Sequence, residues 1–173
     1  MKLEELNALP TDAAERELSK CCGATRWAAA MVARRPFRSA EQLLQAADDV
    51  WWSLEGGDWL EAFSHHPRIG GRASGWAKDE QAGTGRASAD TLKTLADLNH
   101  DYERKFAHVF LICATGKEAD EMLSQLERRI HNDPATELRT AAAEQAKITR
   151  LRLEKMLSQP SAAPPPSSPP RAG

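Results

Sequence analysis

Apolar residues recur at steps of three and four along most of the chain, and each such run is closed by a helix breaker. No segment shows four or more residues of clean apolar–polar alternation rich in β-branched side chains, so the pattern predicts an all-α fold. Thr11 or Asp12 can cap a helix running to about Cys22, where Gly23 supplies the stop. Thr25 can cap the next, which ends before Pro36. Ser39, followed three residues later by Gln42, is a capping-box pattern opening a helix through roughly Leu54, interrupted by Gly56 and Gly57. A shorter helix from about Asp58 stops at His65 and His66, because the residue before Pro67 is biased away from the α region.

The longest stripe is Leu92, Leu95, Asn99, Tyr102, Phe106, Val109 or Phe110, and Cys113, which predicts one helix from about Ala89 to Cys113, ended by Gly116. Ala119, Met122, Leu126 and Ile130 mark the face of the following helix. Pro134 suits the first position of a last helix, whose inward face runs Leu138, Ala141, Gln145, Ile148 and Arg152. The stripes differ in length and the connections share nothing, so there is no internal repeat.

From Ser158 to Gly173 the pattern vanishes: SQPSAAPPPSSPPRAG holds six of the ten prolines and has no apolar face to bury. Residues 1–157 are therefore expected to form a single compact multi-helix domain, and 158–173 a disordered, partly polyproline-II tail. With 173 residues, 41% hydrophobic and 28% charged, the chain can bury a core without staples. A formal charge of -2 gives no global field for nucleic acid or an anionic membrane, and no apolar run reaches the ~20 residues of a membrane helix. The opening segment carries acids and lacks an apolar signal core, which points to the cytoplasm. Cys21, Cys22 and Cys113 make neither a disulfide framework nor a spaced metal site.

Three features exceed what packing needs. In FSHHPRIGG, proline fixes the chain just after His66 at a helix C-terminus, where the dipole favours imidazolium, so His66 is expected to be held in place and biased toward carrying a proton. If Trp76 to Gln81 is helical, Ala77, Glu80 and Gln81 share a face and bring a carboxylate and an amide together. Arg152 lies on the inward stripe, where a guanidinium must pair, line a polar pocket or snorkel to solvent. His65, His100, His108 and His131 lack the spacing of metal ligands, and no phosphate-binding glycine motif is present. Trp27, Trp51, Trp52, Trp59 and Trp76 read as core and pocket walls.

FSHHPRIGGRA, then EQAG, then LADLNHDYERKFAHVFLICATGK, then LERRIHNDPATELRTAAAEQAKITRLRLEKML resemble, in order, the 2-oxo-4-hydroxy-4-carboxy-5-ureidoimidazoline (OHCU) decarboxylase family over about residues 3–157. That resemblance implies an all-helical, cofactor-free lyase, commonly homodimeric, that completes the oxidation of urate to (S)-allantoin. It puts the catalytic histidine on His66, the acid on Glu80 and the buried arginine on Arg152. Substrate contacts fall on Pro67, on the turn bearing Ala77 and Gln81, and on Phe110, Leu111, Ile112, Cys113 and Ala114, where backbone groups contribute. The family often has serine where this chain has Ala77, and glycine, aromatic, proline where it has Ala107, His108 and Val109. No metal site is implied. The rival reading is a non-enzymatic helical interaction module, which would leave His66, Glu80 and Arg152 scattered on convex surface.

Overall fold

In the computed structural model, residues 1–69 and 76–158 are described, apart from the side chains of Trp76 and Arg86. The proline-rich stretch 159–173 and residues 70–75, with Gly70 and Gly71 of the histidine motif, lie outside the described residues. The helices are α1 (Leu3–Ala8), α2 (Thr11–Ser19), α3 (Thr25–Ala33), α4 (Ala40–Ser53), α5 (Gly56–Ser64), α6 (Trp76–Glu80), α7 (Ala89–Phe106), α8 (Ala119–Arg129) and α9 (Pro134–Ser158), with a 3-10 turn over Ala82–Arg86. No strand occurs among the described residues.

Local chemistry explains most boundaries. Ser39 caps α4 by accepting from the Gln42 N–H at 3.1 Å, while the Gln42 side chain turns back one residue further, to the Arg38 N–H at 2.7 Å. Ser88 caps α7 through the Thr91 N–H at 3.0 Å. Asp133 caps α9 through the N–H groups of Ala135 and Thr136, and Pro134 takes the first helical position. Thr25 is not a cap but the first residue of α3; its hydroxyl donates to Glu61 at 2.6 Å. Gly56 and Gly57 begin α5 rather than interrupting a helix before it.

The largest departure is in the long stripe. Helix α7 ends at Phe106, where Ala107 takes a left-handed conformation with φ 60°, and no helix covers the next stretch to Cys113. Residues 109–114 instead run outside any helix between two hydrophobic clusters. Val109, Leu111 and Cys113 pack into the larger one, built by α1–α5 and α9. Phe110, Ile112 and Ala114 pack into the smaller one, with Leu95 and Tyr102 of α7 and Met122 and Leu126 of α8. Side chains that alternate between two cores show no apolar–polar alternation, so the run reads as a helix stripe.

Indoles tie the larger cluster together. Trp27 donates to the Ala47 carbonyl, Trp51 to Ala142 and Trp59 to Trp51, at 2.9–3.1 Å, so three buried N–H groups are all paired. Trp52 is exposed. The smaller cluster is anchored by the fully buried Glu137, which accepts from Tyr102, from Arg129 at 2.6 and 2.9 Å and from Asn132 at 2.7 Å. Arg129 in turn donates to the Leu111 carbonyl at 2.8 Å and lies over the Phe110 ring, so the hub grips the segment between the clusters.

Candidate active site

The seam between the two clusters is where the polar oddities meet. At the end of α5, the N–H groups of His65 and His66 close on the Ala62 and Phe63 carbonyls, and Pro67 then turns the chain away. Gly23, between α2 and α3, allows the close approach that seats His65: a Cβ there would lie 2.6 Å from the His65 ring. His66 itself faces the seam.

The expected protonation of His66 is not what its surroundings favour. Burial, reinforced by the Arg152 guanidinium and opposed by Glu80 and by the Gln145 side chain, lowers its pKa from 6.5 to about 4. A helix end offers at most about 2 kcal/mol to a partly buried imidazolium, less than this desolvation removes. The resting side chain is neutral at neutral pH.

Helix α6 does form, and it brings Glu80 to face α9. Arg152 donates from Nε and a terminal nitrogen to the two Glu80 oxygens at 2.7 and 2.8 Å, a forked pair whose side chains are 13% and 18% exposed. One turn further along α9, Lys155 pairs with Asp79 at 2.8 Å. Arg152 therefore neither snorkels nor points at empty space; a carboxylate holds its fork.

A small cavity gathers the rest. Its lining is His66, Pro67 and Ile69 from the turn after α5; Ala77, Glu80 and Gln81 from α6 and its end; Phe110, Leu111, Ile112 and Ala114; and Ile148 of α9. The enclosed space is about 20 Å³, room for roughly one water. A more open cavity of about 200 Å³ on the other side is lined by Asp79, Glu80, Thr115, Leu151, Arg152 and Lys155. Glu80 lines both, and its partner Arg152 lines only the second. Larger grooves occur near Arg34 and Asp49 and near Leu60 and His108, and neither includes His66, Glu80 or Arg152.

Of the residues singled out in the sequence, Cys113 does not line the cavity: its side chain joins the larger cluster and its N–H donates to Glu144 at 2.8 Å. Ile69 and Ile148 line it although sequence reasoning named neither as a contact. Ile148 carried a signal, since it lies four residues before Arg152 on the same stripe. Cys21 and Cys22 sit behind the site, and burial pushes their thiols up to about 12 and about 11, which leaves them protonated. The polar groups on the seam, one imidazole, one carboxylate and one guanidinium beside an apolar wall, suit acid–base chemistry on a small anionic molecule.

The chain is similar to known proteins in sequence and in fold. A family model described as OHCU decarboxylase matches residues 7–154. The chain is 39% identical over 154 residues to the Uric acid degradation bifunctional protein TTL of Arabidopsis thaliana, covering 83% of this chain and 47% of that one. The chain thus spans about half the length of that relative. It is 32% identical to the 2-oxo-4-hydroxy-4-carboxy-5-ureidoimidazoline decarboxylase of Xenopus laevis, covering 72% of this chain and 76% of that protein. A crystal structure of an OHCU decarboxylase in the presence of (S)-allantoin superposes with a TM-score of 0.76 at 39% identity, over 83% of this chain and 98% of the other. A crystal structure of an (S)-allantoin synthase superposes with a TM-score of 0.73 at 17% identity, over 91% of this chain and 54% of the other, which speaks to the fold alone.

Proposed function

The chain belongs to the OHCU decarboxylase family, and from that premise we propose that it decarboxylates 2-oxo-4-hydroxy-4-carboxy-5-ureidoimidazoline to (S)-allantoin in urate degradation, as a carboxy-lyase without a cofactor. The observation that carries this reading is the convergence of His66 with the Glu80–Arg152 pair on one apolar-walled seam. An interaction module has no use for that convergence.

The substrate supplies its own electron sink. When the bond from C4 to the carboxylate carbon breaks, its electron pair forms a C4–C5 double bond, the ring C5–N pair moves onto nitrogen, and a proton from water neutralises it. Carbon dioxide leaves. The resulting enol gives up its 4-hydroxyl proton and takes a proton at C5, the ureido-bearing carbon. A neutral His66 suits both halves, accepting the hydroxyl proton as a base and returning one to a single face of C5. The apolar walls, Phe110, Ile112 and Ile148, keep bulk water out while leaving room for a single molecule, and favour loss of charge from the carboxylate.

Because the inner cavity holds about one water, substrate enters only if it widens, and Glu80, on its lining, is freed to move when its pair with Arg152 parts. Arg152 then anchors polar oxygens of the ring or ureido group, and Glu80 orients the substrate or supports the transient imidazolium. Holding the departing carboxylate tightly would stabilise the ground state and oppose the rate. The side of proton delivery is the discriminating readout, since spontaneous decay protonates both faces and gives racemic allantoin. Time-resolved circular dichroism on freshly generated urate oxidation product should show one enantiomer forming faster than the uncatalysed decay. Racemic product at the uncatalysed rate would falsify the reading.

We also propose a homodimer in the cytoplasm. The exposed Trp52 and Leu60 and the three free, buried cysteines support these two points, and no helix among the described residues is long and apolar enough to cross a membrane. Sedimentation showing only monomer at micromolar concentration would remove the dimer and leave the chemistry untouched.

A further inference from the structure

Gln145 is fully buried on the inward face of α9, with Ala141, Ala142 and Ile148 as apolar neighbours on that stripe. Its amide nitrogen donates to the Thr149 hydroxyl at 3.0 Å, while its Oε1 closes no hydrogen bond. A leucine would satisfy the helix stripe, and burying an acceptor without a closed bond is destabilising. The amide is held there by Thr149, whose hydroxyl accepts one of its two N–H groups. The oxygen is the atom left without a partner, on a side chain one turn before Ile148, which lines the cavity with His66, and the Gln145 side chain favours a proton on that ring.

We infer that Gln145 is a positioning residue for His66: its open Oε1 is the acceptor on which the N–H of one ring nitrogen closes as the site engages substrate, fixing the tautomer and the ring plane, so that the other nitrogen faces the cavity as the base. The bond to Thr149 behind it fixes the amide in turn. The arrangement is the relation of a catalytic imidazole to its orienting group, with a neutral amide in place of a carboxylate. A carboxylate at this place would hold the ring protonated and spoil it as a base. The description of the ring as a base rests on the proposed decarboxylation, whereas the contact itself does not.

The groups facing His66 that could confuse a titration are Arg152 on α9, Glu80 on α6 and the adjacent His65; the thiols of Cys21 and Cys22 stay protonated throughout. The test is nitrogen-15 NMR of the histidine rings, with the His66 signals assigned by loss in His66→Asn, on wild type, Gln145→Leu and Gln145→Glu, alongside steady-state kinetics. The wild type should show a single neutral His66 tautomer. Gln145→Leu should show a mixture of tautomers and a fall in kcat of about ten- to a hundredfold with KM within twofold. Gln145→Glu, which keeps the shape if the leucine variant fails to fold, should raise the His66 pKa by at least one unit and move the acid limb of the kcat profile with it. A tautomer unchanged in the leucine variant, or a His66 pKa unmoved by the glutamate, overturns the inference and leaves Gln145 as packing. The NMR outcome holds whether or not the protein decarboxylates this substrate, so failure of the activity and failure of the positioning role are read separately.

Discussion

Arg152 spends its guanidinium fork on Glu80, two parallel bonds of 2.7 and 2.8 Å that join α9 to α6 beside a cavity with room for one water. The two groups that the sequence offered as separate catalytic residues are, at rest, each other's partner. Binding must therefore exchange one strong pairing for another, and specificity resides in which oxygens can replace the Glu80 carboxylate.

Arg152→Lys tests that exchange. Lysine keeps the charge and can hold one Glu80 oxygen but has no planar fork for a second, whether from Glu80 or from substrate. KM should rise about tenfold or more, the worth of one charge-assisted bond, with the melting temperature within a few degrees of wild type. If kinetics and melting are both unchanged, Arg152 does not take hold of the substrate.

His66→Asn removes the titrating group and keeps a polar side chain, so kcat should fall by roughly two to four orders of magnitude. His65→Asn should be near neutral in turnover, because His65 closes the end of α5 and does not line the cavity. Circular dichroism of the product resolves the two variants, and a fully active His66→Asn would overturn the assigned role while sparing the function.

The depressed His66 pKa also makes a stability statement. The unfolded chain binds a proton on this ring below about 6.5, and the folded chain only near 4, so acidification through that window favours unfolding. Stability should be fully present above about pH 6.5 and decline toward pH 4, by on the order of 3 kcal/mol from this group. His108, whose pKa is also lowered chiefly by burial, adds in the same direction. Urea unfolding at pH 7 and pH 4.5 should show the decline, and His66→Asn should flatten it; a decline of equal size in the variant would assign the effect elsewhere.

The helix stripes were legible because each buries one face against one core, and α8 and α9 follow theirs closely. Residues 109–114 were not, because a segment wedged between two cores is apolar on both sides and carries no period that a one-dimensional pattern can show. Arg129 and Glu137 were missed for a related reason: each looks like an ordinary surface charge until the other arrives across a turn to neutralise it, at 2.6 Å. His66, Glu80 and Arg152 stood out as polar residues at positions where packing asks for none. The neutrality of His66 was hidden, since burial and the Arg152 field come from elements remote in sequence.

Tyr102→Phe isolates the buried hub. The substitution preserves the ring that packs on Phe106 and Phe110 and deletes only the hydroxyl donated to Glu137. Glu137 keeps Arg129 and Asn132, so the loss should be about 1–3 kcal/mol by urea unfolding, the range for a bond to a buried charge. Because Arg129 also holds the Leu111 carbonyl, Glu137→Gln should cost more and should raise KM as the wall of the cavity loosens. Unchanged stability in Tyr102→Phe would show that Glu137 is satisfied without it.

Gly23→Ala probes how His65 and His66 are seated. An added methyl carbon would stand 2.6 Å from Cδ2 and Cγ of His65 and 2.9 Å from its Cβ, so the ring must be driven from its seat and the contact with Cβ remains even then. Either the end of α5 moves or the connection from α2 to α3 does, at a cost of about 1–3 kcal/mol for overpacking. Moving the end of α5 carries His66 with it, and an ångström of displacement there costs rate out of proportion to stability. The single variant should therefore lose both stability and kcat. Adding His65→Ala removes the atoms that clash beyond Cβ, so Gly23→Ala, His65→Ala should recover most of both, and the double-mutant cycle should give a coupling of about 1 kcal/mol or more. Strict additivity in that cycle would mean that Gly23 does not bear on His65, and the seat of the catalytic histidine would have to be sought in α9 alone.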